Sequence, residues 1–401
     1  MFGALSGCGI NVLGVILASK RSLICAESMD QASERVDKRI DIMPLKVIDK
    51  KDMASLVTSI MEEREVVGPV AKDGKFVFDV IEDCAQLRLD YNITLFSPKK
   101  YFLPQEEPIL KYKLGEAVRS EPVIEAKPRV IMGVHPCDIN ATWLLDLAFS
   151  TDNLDTNYME KRKKAIIVGL DCNEPCDEYS FCKSVRSLAV EGGYDLFLTD
   201  IGDAYMVDYG SPAGMELLAR HKGVREATET DMSRFRVVQD AKWPKFTYKL
   251  EMNVGDLPNL LAIGYDNPLW EELGEKCLAC GACTLVCPTC YCFDVVDRLA
   301  LNLKEGQRLR LWDSCQLAEF ATIAGGENFR KARADRQRHR FFRKGKYLVE
   351  MFGKMGCVGC GRCVRACLVH IDPVEVYNTL KRTCAPGGWA QREVAAYQQG
   401  S

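Results

Sequence analysis

The sequence predicts two parts in succession: an α/β N-terminal domain with a mostly parallel sheet, then an α-helical domain organised by cysteine loops. Three observations lead there. From about Asp30 to Ala262, short apolar runs alternate with helical patterns, the signature of an α/β domain. Near Leu273-Gly274 the composition turns to cysteine, glycine and basic helix and stays so up to Cys384. Between two cysteine runs in that second part, the stretch from Pro288 to Gly356 carries helical patterns, so helices are expected to bring the runs together. The expected boundaries are an N-terminal arm over 1–29, the α/β domain over 30–262, the helical domain over 263–384 and a disordered tail over 385–401, where Pro386-Gly387-Gly388 precedes a polar end.

Within the first part, Lys50 to Arg64 has the period of an amphipathic helix. Lys75 to Ile81 alternates as a strand does, with Asp73-Gly74 as the turn before it. Arg129 to Val134 and Lys164 to Leu170 are continuous apolar runs that suit buried parallel strands, and Tyr194 to Thr199 is a further strand candidate. Ile139 to Ala148 between the first two is long enough for a crossover helix.

The chain of 401 residues has a formal net charge of -3, which argues against nucleic acid as its main partner. Gly9 to Ser19 is apolar, but no basic residue precedes it and it is too short to cross a bilayer. Leu5-Ser6-Gly7-Cys8 imitates a lipoprotein cleavage box and lacks the charged start and apolar core that one needs. Neither export nor membrane insertion is expected, and the expected location is the cytoplasm. The 19 cysteines, odd in number and spread along the chain, make a poor disulfide framework and fit thiolate ligation in a reducing compartment.

Cys277, Cys280, Cys283 and Cys287, followed by Pro288, match the C-x2-C-x2-C-x3-C-P run of bacterial ferredoxins at every position. Two-residue gaps let one tight loop offer three thiolates to the corners of a cubane, and Gly281 can turn amides toward sulfur. Cys357, Cys360, Cys363 and Cys367 repeat the spacing with Leu368 in place of the proline. Two [4Fe-4S] clusters are therefore expected. By the crossed rule, one takes Cys277, Cys280, Cys283 and Cys367, the other Cys357, Cys360, Cys363 and Cys287. Zinc is the competing ligand chemistry and favours paired C-x2-C units instead.

Cys290, Cys292 and Cys315 lie between the runs and read more readily as small core residues than as ligands. Arg330 to Lys346 holds nine Lys or Arg against one Asp. Such a run is usually a solvated helix face, with docking or neutralisation of negative clusters as the lesser reading. Upstream, Cys137 and Cys172 each follow a candidate parallel strand, at the sheet edge where α/β folds hold ligands. With Cys176 and Cys182 they form a candidate third cluster site of irregular spacing; buried thiols are the plainer alternative.

Several segments resemble the iron–sulfur beta polypeptide of soluble NAD(P)-linked nickel-iron hydrogenases (sulfhydrogenases) and its counterpart in anaerobic sulfite reductase. They are Ser97 to Glu106, Gly133-Val134-His135-Pro136-Cys137-Asp138, Cys172-Asn173-Glu174-Pro175, Pro288 to Asp294, Trp312-Asp313-Ser314-Cys315, Gly326 to Arg330, and Cys357 to Cys363. The likeness runs from Val47 to Arg382 and is specific to family level. It implies one component of an anaerobic oxidoreductase complex, relaying electrons between a flavin and NAD(P)H subunit, which carries FAD and NAD(P), and the catalytic subunit. It also strengthens the third cluster, although Ser180 stands where a family cysteine is expected and Cys176 is additional. Neither G-x-G-x-x-G after a strand nor G-x4-G-K-[ST] occurs, so no nucleotide site or catalytic site of the chain's own is expected. A catalytic thiol or disulfide reductase built on the N-terminal cysteines is the alternative.

Overall fold

A computed structural model describes residues 45–384, Glu116 excepted. The expected N-terminal arm and C-terminal tail lie outside the described residues. Among the described residues the strands, in chain order, are β1 (Lys46–Asp49), β2 (Glu65–Lys72), β3 (Lys75–Val80), β4 (Glu106–Lys113), β5 (Arg119–Pro122), β6 (Arg129–Val134), β7 (Ala165–Leu170), β8 (Leu196–Asp200), β9 (Ala204–Tyr209), β10 (Val224–Glu226), β11 (Phe293–Leu299) and β12 (Glu305–Trp312).

The larger sheet has eight strands in the order β10-β1-β9-β8-β7-β6-β2-β3. Its centre is parallel, with β2 beside β6, β6 beside β7 and β7 beside β8. Both flanks are antiparallel: β3 folds back on β2, and β9, β1 and β10 extend the far side. The sheet is thus mixed where a mostly parallel one is expected. Short hairpins added antiparallel strands at both margins: Asp73 and Gly74 turn at φ 50° and 73°, and β8 returns as β9 after only Ile201 to Asp203. Buried on both faces, β6 and β7 are the continuous apolar runs seen in the sequence.

The expected helix near Lys50 begins with a 3-10 turn and runs over Met53–Met61, burying Met53, Leu56, Val57 and Ile60. The crossover helix from β6 covers Pro136–Ser150.

The second sheet is antiparallel, in the order β11-β12-β4-β5. Its hairpin β11-β12 comes from the stretch between the two cysteine runs, which is therefore not purely helical. Gln307-Arg308-Leu309-Arg310-Leu311 alternates at the strand period, and β12, paired with β11 on one side, takes its second partner from β4, far earlier in the chain. Buried charges tie this sheet to the first part. Glu107 on β4 accepts from Lys161 and from Arg310 on β12, and Arg310 also donates to Asp155.

Helices Leu257–Ile263, Leu269–Lys276, Arg333–Phe342 and Pro373–Cys384 gather around the cysteine loops. Leu257, Leu261, Trp270, Phe341, Tyr377 and Leu380 form their shared core. No helix among the described residues is long and apolar enough to cross a membrane.

Candidate metal centre

The two cysteine loops have the same backbone. Cys277 ends helix Leu269–Lys276, and Ala279 and Gly281 then take left-handed φ of 53° and 76° before the short helix Ala282–Leu285. In the second loop Gly359 and Gly361 take 63° and 70° before Arg362–Arg365. Equal spacing has produced equal turns, and these point amides at sulfur: Ala279 N–H donates to Cys277 Sγ at 3.3 Å and Gly359 N–H to Cys357 Sγ at 3.4 Å. Ile371 N–H donates to Cys367 Sγ at 3.3 Å.

The thiols gather across the loops as well as within them. Cys283 lies near Cys277 and Cys367. Cys287 lies near Cys357, Cys360 and Cys363. The last cysteine of each run thus has neighbours in the other run. Cys280 is the exposed member, whereas Cys277 and Cys360 are buried.

Burial pushes the Cys283 and Cys357 thiols up to about 11 and Cys360 up to about 12, because a thiolate loses its hydration there. These groups become thiolates only if positive charge accompanies them. Buried and half-buried cations stand among them. Arg340 is flanked by Cys283, Cys363, Cys287 and Cys290, and Lys344 by Cys287, Cys290 and Cys357; despite the desolvation that opposes it, both are held protonated by these sulfurs. Their hydrogen-bond partners include neutral Gln337 and Thr289. Lys99 donates to the carbonyls of Cys287 at 3.0 Å and Cys290 at 2.9 Å, and burial draws it down to about 8. Sulfur-rich anionic groups satisfy such cations, so the residues fit cubane iron–sulfur clusters.

Arg336, Arg340 and Lys344 repeat at helical spacing along one face of the basic run, and Arg336 and Arg340 are buried. That spacing was the signal for an inward role which the solvated-face reading overlooks. Gln337 on the same helix donates through Nε2 to Cys277 Sγ at 2.9 Å. Gln337→Leu removes a donor that stabilises extra negative charge on the sulfur. The potential of the associated cluster is expected to fall, on the order of tens of millivolts, in a potentiometric titration.

His339 is held down to about 4 by burial and by Arg330 and Arg343. A base whose folded pKa is depressed binds fewer protons when folded, so its stabilising contribution is present above its unfolded value of about 6.5 and is lost as pH falls toward 4. His339→Gln is expected to remove roughly 1 kcal/mol of that acid-side loss in urea unfolding at pH 7 and pH 5, the figure being discounted for partial exposure.

The upstream cysteines also converge. Strands β6 and β7 are adjacent and parallel, and Cys137 and Cys172 stand just past their C-terminal ends. The register shift around Gly133, at φ 72°, bends the end of β6 into His135-Pro136-Cys137. Cys172 interacts with Cys176 and lies near Cys137 and Cys182. Cys172 and His135 together hold Cys176 well below the ordinary thiol range, with His135 Nδ1 4.0 Å from its Sγ. Ser180 turns its hydroxyl to Asp177 instead, at 3.0 Å.

This group is built against the second loop. Phe181 N–H donates to Gly359 C=O at 2.8 Å, and a Cβ on Gly359 would stand 2.6 Å from the Cys182 nitrogen. Cys137 packs with Val358 and Cys360. Arg362 donates to both carboxylate oxygens of Asp138, at 2.6 and 2.7 Å, and to the Thr94 carbonyl at 2.9 Å.

Comparison with known proteins agrees with this geometry. Residues 276–371 match the 4Fe-4S dicluster domain. Over 324 residues the chain is 34% identical to the protein named sulfhydrogenase 2 subunit beta of Pyrococcus furiosus, covering 80% of this chain and 94% of that one. No solved structure matches.

Proposed function

The chain belongs to the sulfhydrogenase beta-subunit family and is an iron–sulfur electron-transfer protein, and on that premise we propose that it carries three clusters in a row. Cys277, Cys280, Cys283 and Cys367 hold the first [4Fe-4S] cluster; Cys357, Cys360, Cys363 and Cys287 hold the second. Cys137, Cys172, Cys176 and Cys182 hold the third. Such clusters supply one-electron oxidation and reduction with little rearrangement.

The carrying observation is the interlocked sulfur neighbourhood: Cys367 beside Cys283, Cys287 among Cys357, Cys360 and Cys363, and Cys137 against Cys360. Each group thus adjoins the next. What the chain's own residues do is hold this order. Arg340, Lys344 and Lys99 compensate negative charge in the middle, and the exposed Cys280 marks the end that meets a partner. We assign that partner and the one at the other end as a flavin subunit that exchanges electrons with NAD(P)H and a catalytic subunit of hydrogenase or sulfite-reductase type, in the cytoplasm. The relative's name as a sulfhydrogenase subunit supports an assembly of this kind.

Anaerobically purified protein is expected to contain about twelve irons per chain and to copurify with a flavoprotein. A content of about eight would remove the third cluster; stoichiometric zinc, or purification alone, would sink the relay.

A further inference from the structure

Cys290, Cys292 and Cys315 are in none of the three ligand sets. Cys290 interacts with Cys287, which is already assigned. The other two meet each other. Cys292 stands immediately before β11 and Cys315 shortly after β12, and the hairpin pairs Phe293 with Trp312. The ladder continues one step further, from Asp313 N–H to Cys292 C=O at 3.0 Å. The start of one strand and the end of the other therefore bring the two cysteines together, with Cys315 two residues beyond the Asp313 that pairs with Cys292, and their side chains interact.

The two are unequal. Cys315 is buried and accepts from Gln316 Nε2 at 3.5 Å, whereas Cys292 is half-buried at the start of the mostly exposed strand β11. Lys344 and Arg343 face Cys292. A reachable thiol flanked by cations, with a second thiol behind it, is what attack and resolution in thiol–disulfide exchange require.

We propose that Cys292 and Cys315 form a redox-active dithiol that reduces low-molecular-weight disulfides. Cys292 attacks one sulfur of the disulfide RSSR: a Cys292–S bond forms as the S–S bond breaks, and RS⁻ leaves and takes up a proton. Cys315 then attacks the Cys292 sulfur of the mixed disulfide, expelling a second RS⁻ that takes the remaining proton. Two thiols and RSSR thus become one cystine and two RSH. Returning the cystine to the dithiol takes two electrons and two protons, and the reductant is a pair of one-electron iron–sulfur donors. In this the proposal rests on the cluster reading above. Cys315 lies near Cys283, an assigned ligand, so the pair adjoins its donor.

The test uses full-length, anaerobically prepared protein whose iron is counted first. It is exposed to glutathione disulfide, blocked with N-ethylmaleimide, digested and weighed by mass spectrometry, with a second portion reduced by dithionite before blocking. The expected result is a Cys292–Cys315 linked peptide that disappears after dithionite, with iron unchanged throughout. Cys292→Ser is expected to slow glutathione release about tenfold or more, whereas Cys315→Ser is expected to stop at one glutathione per chain with Cys292 held as the mixed disulfide, iron being retained in both. Two alkylated cysteines after oxidation of iron-replete protein would overturn the proposal. Iron loss in either variant would also overturn it, by making that thiol a ligand. Wild-type protein without iron would instead discard the cluster reading, and the linked peptide would still decide whether the pair reacts.

Discussion

Cys367→Ser is expected to expose the thiols of the first loop, not those of its own. In the proposed crossed ligation Cys367 is the fourth partner of Cys277, Cys280 and Cys283, a proposal that its position near Cys283 supports. Iron should drop by about four per chain. Under anaerobic alkylation, Cys277, Cys280 and Cys283 should become labelled while Cys357, Cys360 and Cys363 stay protected. The reverse labelling would mean that each run serves its own cluster. The mirror change, Cys287→Ser, should expose Cys357, Cys360 and Cys363. Its effect on folding should be larger, because buried Arg340 and half-buried Lys344 both lose an anionic neighbour.

Arg362→Met is expected to cost about 3–5 kcal/mol of stability. The Arg362 and Asp138 side chains are 2% and 1% exposed, so methionine would strand a carboxylate where water cannot reach it. For a unit of this size the apparent melting temperature should fall by roughly 5 °C. The pair joins the second cysteine loop to the first turn of helix Pro136–Ser150, so the damage should appear at a particular place. Cys137 and Cys172 should become alkylatable at lower urea than the first-loop cysteines. Adding Asp138→Asn should restore part of the stability, because the stranded charge is then gone. A loss under about 1 kcal/mol, or equal labelling of all loops, would show that the pair does not clamp the third group.

The two ferredoxin-type runs were legible as they stand, because a tight loop around a cubane depends only on local spacing and on residues that tolerate positive φ. Gly281, Gly359 and Gly361 adopt it, and Ala279 adopts it without being glycine. The strands β6 and β7 were equally legible from their apolar runs. The antiparallel flanks of the large sheet were not, since a strand's direction depends on which edge it meets. The hairpin β11-β12 was missed for a related reason: its alternation is weak, and its partner β4 lies about two hundred residues earlier, as the register of Leu309 with Pro108 makes plain.

By itself, then, the sequence determined the two cysteine loops, their expected chemistry and the central strands, all of which follow from short-range spacing and periodicity. Only the tertiary structure decided which distant groups became neighbours. It turned Arg336, Arg340 and Lys344 inward, set Cys137 against Cys360, and closed Cys292 onto Cys315. The physical reason is the same in each case: a buried charge or thiol is defined by what surrounds it, and those surroundings are assembled from segments that lie far apart in the chain.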